Sequence, residues 1–340
     1  MKGYVMKYVL FLLICLLSTC VFAADRVVLF EDFTNSGCGP CWSVEPQVNA
    51  FVNSHLAAGD LAVMRVHVNW PSPNDPIYLA NPTEQNARKA VYGVSAVPTF
   101  KMDGILTPSA YTLQNAFNTR AAVPTFLAIH VVRNGDNQTG TIGVRLIAEQ
   151  DLENQANMRV FSVIVENNVP GAGYWSGSVF EQAFRDNLAA FPYGELVEFT
   201  GPYPDTVYFE FDYDITAWVN DELYLTTLVQ QIGPSTKEVM NAHWAKFMDL
   251  ETGIGGDDPA FAEPMLLTGP NPSNGAISVT PLLPDGVQGM LSVYDITGRI
   301  IGSAAAGEQN SFDVDEAGIY FVRLVTDTGA QVTESVAVLR

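Results

Sequence analysis

The sequence predicts an α/β domain followed by two all-β domains. Strand-like and helix-like segments alternate over residues 25–123, which is typical of an α/β layer with at least one parallel strand pair. Short strand-like runs separated by Gly, Asn, Asp and Pro fill residues 124–250. A linker rich in Gly, Asp and Pro follows over 251–268, and a second group of strand-like runs fills residues 269–340.

The first 24 residues predict a secretory signal peptide. Lys2 and Lys7 precede an apolar run over 9–17, and the small residues Ala23 and Ala24 mark a cleavage site. Lipoprotein processing at Cys20 is an alternative that the preceding threonine disfavours. Cleavage near Ala24 would remove two of the four cysteines and leave a soluble exported chain.

The chain is strongly acidic. Its 37 Asp and Glu against 17 Lys and Arg give a net charge of −20. Such a surface repels phosphates and anionic lipids, so nucleic acid is excluded as a partner. No run after the signal peptide is long and apolar enough for a transmembrane helix, so no transmembrane segment is expected in the mature chain.

In the α/β domain, apolar runs over 26–33, 61–68 and 97–104 predict strands. Helices are predicted directly after the cysteine pair, over 81–93 and over 109–120. The second has the clearest ends, with Asn81 as N-cap, Pro82 at its first position and Gly93 as its stop.

The middle domain is predicted as an immunoglobulin-like antiparallel sandwich with a short helix over 176–191 at its edge. The C-terminal domain, about seventy residues long, is predicted as a small sandwich.

The motif "CGPC" places Cys38 and Cys41 two residues apart. A zinc site would need two more ligands, and the four histidines show no ligand pairing, so no metal is predicted. A redox-active dithiol and an inert structural disulfide remain. If redox-active, Cys38 at a helix N-terminus is the exposed attacking thiolate and Cys41 the resolving thiol, and the pair needs no separate cofactor.

The stretch "CGPCWSVEP" resembles the thioredoxin active site, and the resemblance covers about a hundred residues. It implies that Asp32 is a buried proton carrier for the inner cysteine. It also implies that Pro98 in "VSAVPTF" is a cis-proline and that the backbone of Val97 binds an extended substrate. Trp42 flanks the pair as a packing residue or a substrate contact. Two departures are Gly37, where thioredoxins carry tryptophan, and the insert "NWPSPNDPIYLANPTEQ".

The last seventy residues resemble the C-terminal sorting domain of the type IX secretion system. The matching stretches are "PNPSNG", "VYDITGR", "GIYFVRL" and a final strand ending in Arg340. The resemblance implies that the type IX machinery is a partner and that the protein passes the periplasm to the cell surface or outer membrane, or is secreted. A generic adhesive sandwich is the alternative. "IVEN" and "VQQIGPSTKEVMNA" suggest the outer membrane protein 28-related family for the first two domains.

The sequence therefore predicts an exported thiol–disulfide oxidoreductase that acts on cysteine-containing exported proteins. Cys38 attacks, Cys41 resolves, Asp32 transfers a proton, and the loop with Val97 and Pro98 holds the substrate. The alternative hypothesis is a cell-surface binding or adhesive protein that keeps the fold as a scaffold around an inert disulfide.

Overall fold

The computed structural model describes residues 24–152, 155, 157–250, 264–268, 271–283, 287–307, 310–327 and 331–339. They belong to two compact units, one within residues 23–262 and one within residues 263–340. The predicted signal peptide up to residue 23 and the linker up to residue 263 lie outside the described residues.

A large mixed sheet forms the centre of the first unit. In spatial order its strands are β13 (Val239–Lys246), β12 (Leu223–Gln231), β6 (Met158–Glu166), β9 (Ala183–Asn187), β2 (Leu61–His67), β1 (Val28–Thr34) and β3 (Thr99–Met102), and β10 (Glu195–Leu196) pairs with β6. β2 runs parallel to β1 and β9, and the other pairs are antiparallel. The segments predicted as two separate domains therefore share one sheet, joined where β2 meets β9.

Four α-helices lie in the first half of this unit: α1 (Gly39–Ala58), α2 (Pro76–Ala80), α3 (Pro82–Val91) and α4 (Leu113–Ala121). α1 and α4 share a core with β1, β2 and β3. Side chains of a strand alternate between the two faces of its sheet. Val28 and Phe30 of β1 accordingly join this helix-covered core, whereas Leu29 and Phe33 join the core on the other face.

The ends of α3 follow from local chemistry, as predicted. Asn81 is the N-cap, and its side chain accepts the N–H of Glu84 at 3.3 Å and donates to the Glu84 carboxylate at 2.7 Å. The backbone N–H of Glu84 is thereby satisfied, and the Glu84 carboxylate holds the Asn81 side chain in its capping position. Pro82 occupies the first turn and the helix ends at Val91, two residues before Gly93.

A second sheet contains β4 (Leu127–Gly135), β5 (Thr139–Ala148) and β11 (Asp205–Asp214). It shares a large apolar core with β6 and β12, so the sheet-on-sheet packing predicted for residues 124–250 uses one end of the mixed sheet as its second layer.

The helix predicted over 176–191 is wrong. This segment contains β8 (Val179–Phe180), which pairs with β7 (Val169–Pro170), and β9 of the mixed sheet. Burial of Phe184 among sheet residues and pairing with two neighbouring strands outweigh the helical preference of this sequence.

The C-terminal unit is all-β and has two sheets around one apolar core. One contains β14 (Met265–Thr268), β16 (Ala276–Leu282) and β19 (Asn310–Asp313). The other contains β15 (Ser273–Asn274), β21 (Gln331–Leu339), β20 (Gly318–Thr326), β17 (Gly289–Asp295) and β18 (Ile300–Ala305). β14 lies where the sequence predicts the end of the linker.

The stretch "DITGR" forms the turn between β17 and β18. The Asp295 carboxylate accepts the hydroxyl of Thr297 at 2.6 Å and the backbone N–H of Arg299 at 3.1 Å. The hydrogen bond from the Thr297 hydroxyl is the main cause that lowers the pKa of Asp295 to about 2. This aspartate therefore holds the turn in its ionised form.

Among the α-helices that the structure describes, none combines the length and the hydropathy needed to span a lipid bilayer.

Candidate functional site

Cys38 and Cys41 form a disulfide at the N-terminus of α1. Cys38 is the N-cap, and its sulfur accepts the backbone N–H of Cys41 at 3.1 Å. Pro40 lies in the first turn, where its missing N–H costs no helical hydrogen bond. Free N–H groups and the positive end of the helix dipole stabilise a thiolate at this position. The predicted attacking sulfur is thus placed where its ionised form is favoured.

Both sulfurs are buried, although the sequence predicts an exposed Cys38. The exposed fraction is 2% for Cys38 and 3% for Cys41. They belong to an apolar cluster that includes Ile77, Val169, Trp175 and Phe180, with Val97 packed against it. The prediction of an exposed attacking sulfur is therefore wrong for this state of the protein.

The burial is caused by residues 169–180, called here the covering segment. Its ends pair as β7 and β8, and a 3₁₀ turn over Gly173–Trp175 forms its tip. Trp175 is 2% exposed and meets Trp42 edge to face, with 5.2 Å between ring centroids. The backbone N–H of Tyr174 donates to the carbonyl of Ser36 at 2.9 Å, just ahead of the cysteine pair.

The covering segment approaches the cysteine loop so closely that only glycine fits at residue 173. Gly173 has a φ of +60°, and a Cβ built on it would lie 2.1 Å from the carbonyl oxygen of Ser36. An L side chain at this position would be strained by its backbone conformation and would also collide with the loop.

The loop predicted to bind substrate lies at the same site. The Val97–Pro98 peptide bond is cis, as expected. Val97 packs against the cluster that contains both cysteines. Trp42 is 39% exposed and contacts the covering segment through Trp175. The structure thus brings Cys38, Cys41 and Val97 into one cluster, with Trp42 at its edge.

Gly37, which departs from the thioredoxin pattern, is explained by the insert. A Cβ at Gly37 would lie 2.6 Å from Cβ of Ser72, so a larger residue does not fit. The insert also supplies Asp75, whose carboxylate accepts the Ser36 N–H at 2.6 Å and pairs with His67 at 2.7 Å. Burial raises the pKa of Asp75, but the hydrogen bond from His67 and those from backbone N–H groups outweigh it and keep the pKa low. The insert therefore anchors the cysteine loop.

Asp32 lies on the face of β1 that α1 covers and is 3% exposed. Its Oδ1 has no hydrogen-bond partner among the described residues. Burial raises the pKa of Asp32 to about 7, Arg65 acts to lower it and Glu45 to raise it. A carboxyl group with a pKa near neutrality exchanges protons readily at physiological pH.

Glu45 and Arg65 are site residues that the sequence analysis missed. Arg65 on β2 pairs with Glu45 on α1 at 2.7 Å and lies 3.9 Å from the Asp32 carboxylate. Arg65 hydrogen-bonds Glu45 rather than Asp32, and the charge of Glu45 offsets part of the effect of Arg65 on the pKa of Asp32. Two signals were available: Glu45 follows Cys41 by one helical turn, and Arg65 follows directly on the apolar run 61–64 of its strand.

Within the described residues, no group of three or more His, Cys, Asp or Glu side chains is arranged to hold a metal ion.

Residues 270–338 match the family described as "Secretion system C-terminal sorting domain". This match confirms the predicted type IX sorting domain and implies export, contact with the type IX secretion machinery, and attachment at the cell surface or outer membrane. No curated protein matches the chain.

Solved structures resemble this chain at low sequence identity. HBP35 of Porphyromonas gingivalis is 14% identical, with a TM-score of 0.55 over 93% of this chain and 98% of that one. This likeness shows a shared fold. A protein of Agrobacterium tumefaciens (13% identity, TM-score 0.43, 69% of this chain and 98% of that one) and dimeric latent PorU from Porphyromonas gingivalis (13% identity, TM-score 0.30, 62% and 20%) are too distant to support an argument. These matches do not support the resemblance to the outer membrane protein 28-related family, which stays a prediction.

Proposed function

We propose that the first unit is a thioredoxin-like thiol–disulfide oxidoreductase that acts on cysteine-containing exported proteins. One observation carries the proposal. A disulfide caps an α-helix next to a cis-proline loop, and the sheet under that helix holds a buried carboxyl group with a pKa of about 7. An inert disulfide does not require a carboxyl group of this kind. Burial of the Asp32 carboxyl group costs stability, which is typical of a group retained for proton transfer.

In the proposed reaction, a substrate thiolate attacks the sulfur of Cys38. The disulfide breaks, its electron pair passes to the sulfur of Cys41, and Asp32 gives this sulfur a proton and regains one from solvent. A second substrate thiolate then attacks the mixed disulfide and releases Cys38 as a thiolate, which the N–H of Cys41 stabilises. Two electrons pass from the substrate dithiol to the protein. The reverse sequence reduces a substrate disulfide.

The remaining site residues position the substrate or set the protonation of Asp32. Val97, beside the cis-proline Pro98, offers its backbone to an extended substrate chain. Arg65 is held by Glu45, and with a pKa of about 7 a large share of Asp32 is protonated near pH 7 and has a proton to give. Trp42 forms part of the apolar wall that a substrate meets.

Trapping of the covalent intermediate tests this function. Cys41→Ser keeps the attacking sulfur but cannot resolve a mixed disulfide, so it should accumulate a covalent adduct with scrambled ribonuclease or insulin on non-reducing gels. Cys38→Ser is the matched control and should form no such adduct. The wild-type protein should catalyse insulin reduction or ribonuclease refolding, and both variants should lose that activity. Absence of exchange and of adducts would contradict the proposal.

A second candidate function is binding or adhesion at the cell surface with an inert disulfide. The 2% and 3% exposure of the two cysteines favours it, because a covered sulfur does not exchange. The two functions therefore differ in whether the covering segment ever leaves the cysteine pair.

A further inference from the structure

Thiol–disulfide exchange requires the attacking sulfur to reach a disulfide sulfur directly. Trp175 and Phe180 share one buried cluster with the two cysteines, so the covering segment blocks that approach. If the pair is redox-active, the covering segment must therefore move away from the disulfide before a substrate sulfur can reach it.

The covering segment makes few backbone hydrogen bonds to the rest of the unit and is held mainly by side-chain packing, including Phe180 against His67 at 4.9 Å between ring centroids. Its two strands are two residues long and pair with each other, and its backbone bonds Gly171 N–H to Ser178 C=O and Ser178 N–H to Trp175 C=O are internal. It is held to the cysteine loop by the Tyr174–Ser36 backbone bond and by aromatic packing. Segments of a folded domain open locally at free energies below that of global unfolding, and few external backbone hydrogen bonds lower this free energy.

The walls that remain when this segment leaves are apolar. Trp42 on α1, Ile77 on α2 and Val97 before the cis-proline all belong to other elements. The side chain of Trp175 packs in the same cluster as the disulfide, Ile77 and Val97, and it contacts Trp42. An incoming chain that left this space empty would forfeit the apolar contacts that the segment makes now.

We propose that the covering segment is an intramolecular lid that occupies the substrate position. The proposal rests on the oxidoreductase function and adds the substrate class: polypeptides with a large apolar side chain next to the reacting cysteine, which replaces Trp175. Such a substrate displaces the lid, whereas small thiols and polar peptides meet a closed site. The lid thereby restricts thiol–disulfide exchange at the cell surface to polypeptides that displace it.

Two glycines of the lid allow a matched test of closure. Gly173→Ala introduces both strain and a collision with Ser36, whereas Gly177 has a φ of +84° and no atom within 4 Å of its built Cβ, so Gly177→Ala introduces strain alone. The readout is the rate at which tris(2-carboxyethyl)phosphine reduces the Cys38–Cys41 disulfide. We expect the disulfide of Gly173→Ala to be reduced at least about tenfold faster than that of wild type or Gly177→Ala, because only Gly173→Ala adds a collision with Ser36 to the backbone strain.

Equal rates for wild type and Gly173→Ala would overturn the lid. Thermal unfolding of both variants checks that the unit stays folded, so a general loosening would show as an equal loss of stability and an equal rate increase in the two variants, which would also overturn it. This readout uses a chemical reductant and is independent of any enzymatic activity.

Substrate class is tested with reduced peptides that carry Trp, Ala or Asp next to a single cysteine. The rate at which excess peptide reduces the Cys38–Cys41 disulfide of the wild-type protein should be highest for the Trp peptide, by about tenfold over Asp. In Gly173→Ala the reaction rates of the Ala and Asp peptides should increase more than that of the Trp peptide. Equal wild-type rates for the three peptides would overturn the substrate assignment.

The two proposals fail differently. A disulfide that Gly173→Ala opens to the phosphine, but that still forms no adduct with any peptide or protein, would retain the lid and reject the oxidoreductase and its substrate class. Adducts at equal rates in wild type and Gly173→Ala would retain the oxidoreductase and reject the lid.

Discussion

Arg88→Met should lower the free energy of unfolding of the first unit by about 3–5 kcal/mol. Arg88 of α3 is bound to both carboxylate oxygens of Glu31 on β1, at 2.6 and 2.9 Å, and to Gln230 of β12 at 2.8 Å. Glu31 is fully buried. Removing the guanidinium would leave a buried carboxylate without its counter-ion, which costs more than the pair contributes.

Urea unfolding monitored by circular dichroism measures this change. Lys89→Met is the matched control, because it makes the same kind of substitution at the next residue of the same helix. Lys89 is half-buried, bonds Asn69 at 3.0 Å and lies 4.4 Å from the centre of the Trp70 ring, and its loss should cost about 1 kcal/mol or less. The double variant Glu31→Met with Arg88→Met should recover much of the loss, because no charge is left unpaired. A double variant no more stable than Arg88→Met would show that packing, not charge, explains the effect.

Asp32→Asn should stabilise the protein at neutral pH by up to about 4 kcal/mol, the free energy of a pKa shift from 3.8 to about 7. As pH rises above 3.8, the unfolded chain releases this proton while the folded protein keeps it, so ionisation of Asp32 favours unfolding. The stabilisation should be absent below about pH 4, grow up to about pH 7 and then stay constant.

The measurement is the unfolding free energy of wild type and variant between pH 4 and pH 8. Asp221→Asn, at an exposed position of the same unit, serves as the control and should change stability little at any pH. A pH-independent difference between Asp32→Asn and wild type would contradict the raised pKa. If Asp32 also carries the proton for Cys41, the same variant should slow exchange while it gains stability.

Local chemistry could be predicted from the sequence and longer-range contacts could not. The start of α3 at Pro82 follows from Asn81 and Glu84, which lie within one turn of each other. β1 follows from an apolar run whose burial needs no knowledge of its neighbours. These elements depend on residues close together in the chain.

The covering of the cysteines depends on residues far apart in the chain. Trp175 and Phe180 lie in a segment whose apolar pattern fits a short helix as well as strands, and only pairing of β9 with β2 and β6 decides between them. Cys38 was predicted to be exposed because its motif specifies the helix start and says nothing of what packs on top. The salt bridge between Glu45 and Arg65 likewise joins a helix to a strand whose register the sequence does not reveal.

The lid also makes the outcome of biosynthesis depend on whether the two cysteines are oxidised before or after the covering segment docks. Translation produces Cys38 and Cys41 long before Trp175 and Phe180, so the nascent chain first presents two open sulfurs to whatever oxidant surrounds it. Once Trp175 and Phe180 have docked, the covering segment blocks an oxidant from the two sulfurs just as it blocks any other reagent. A chain that completes folding as a dithiol would therefore be kinetically protected in that form, and the redox state of a mature molecule would preserve a record of its assembly.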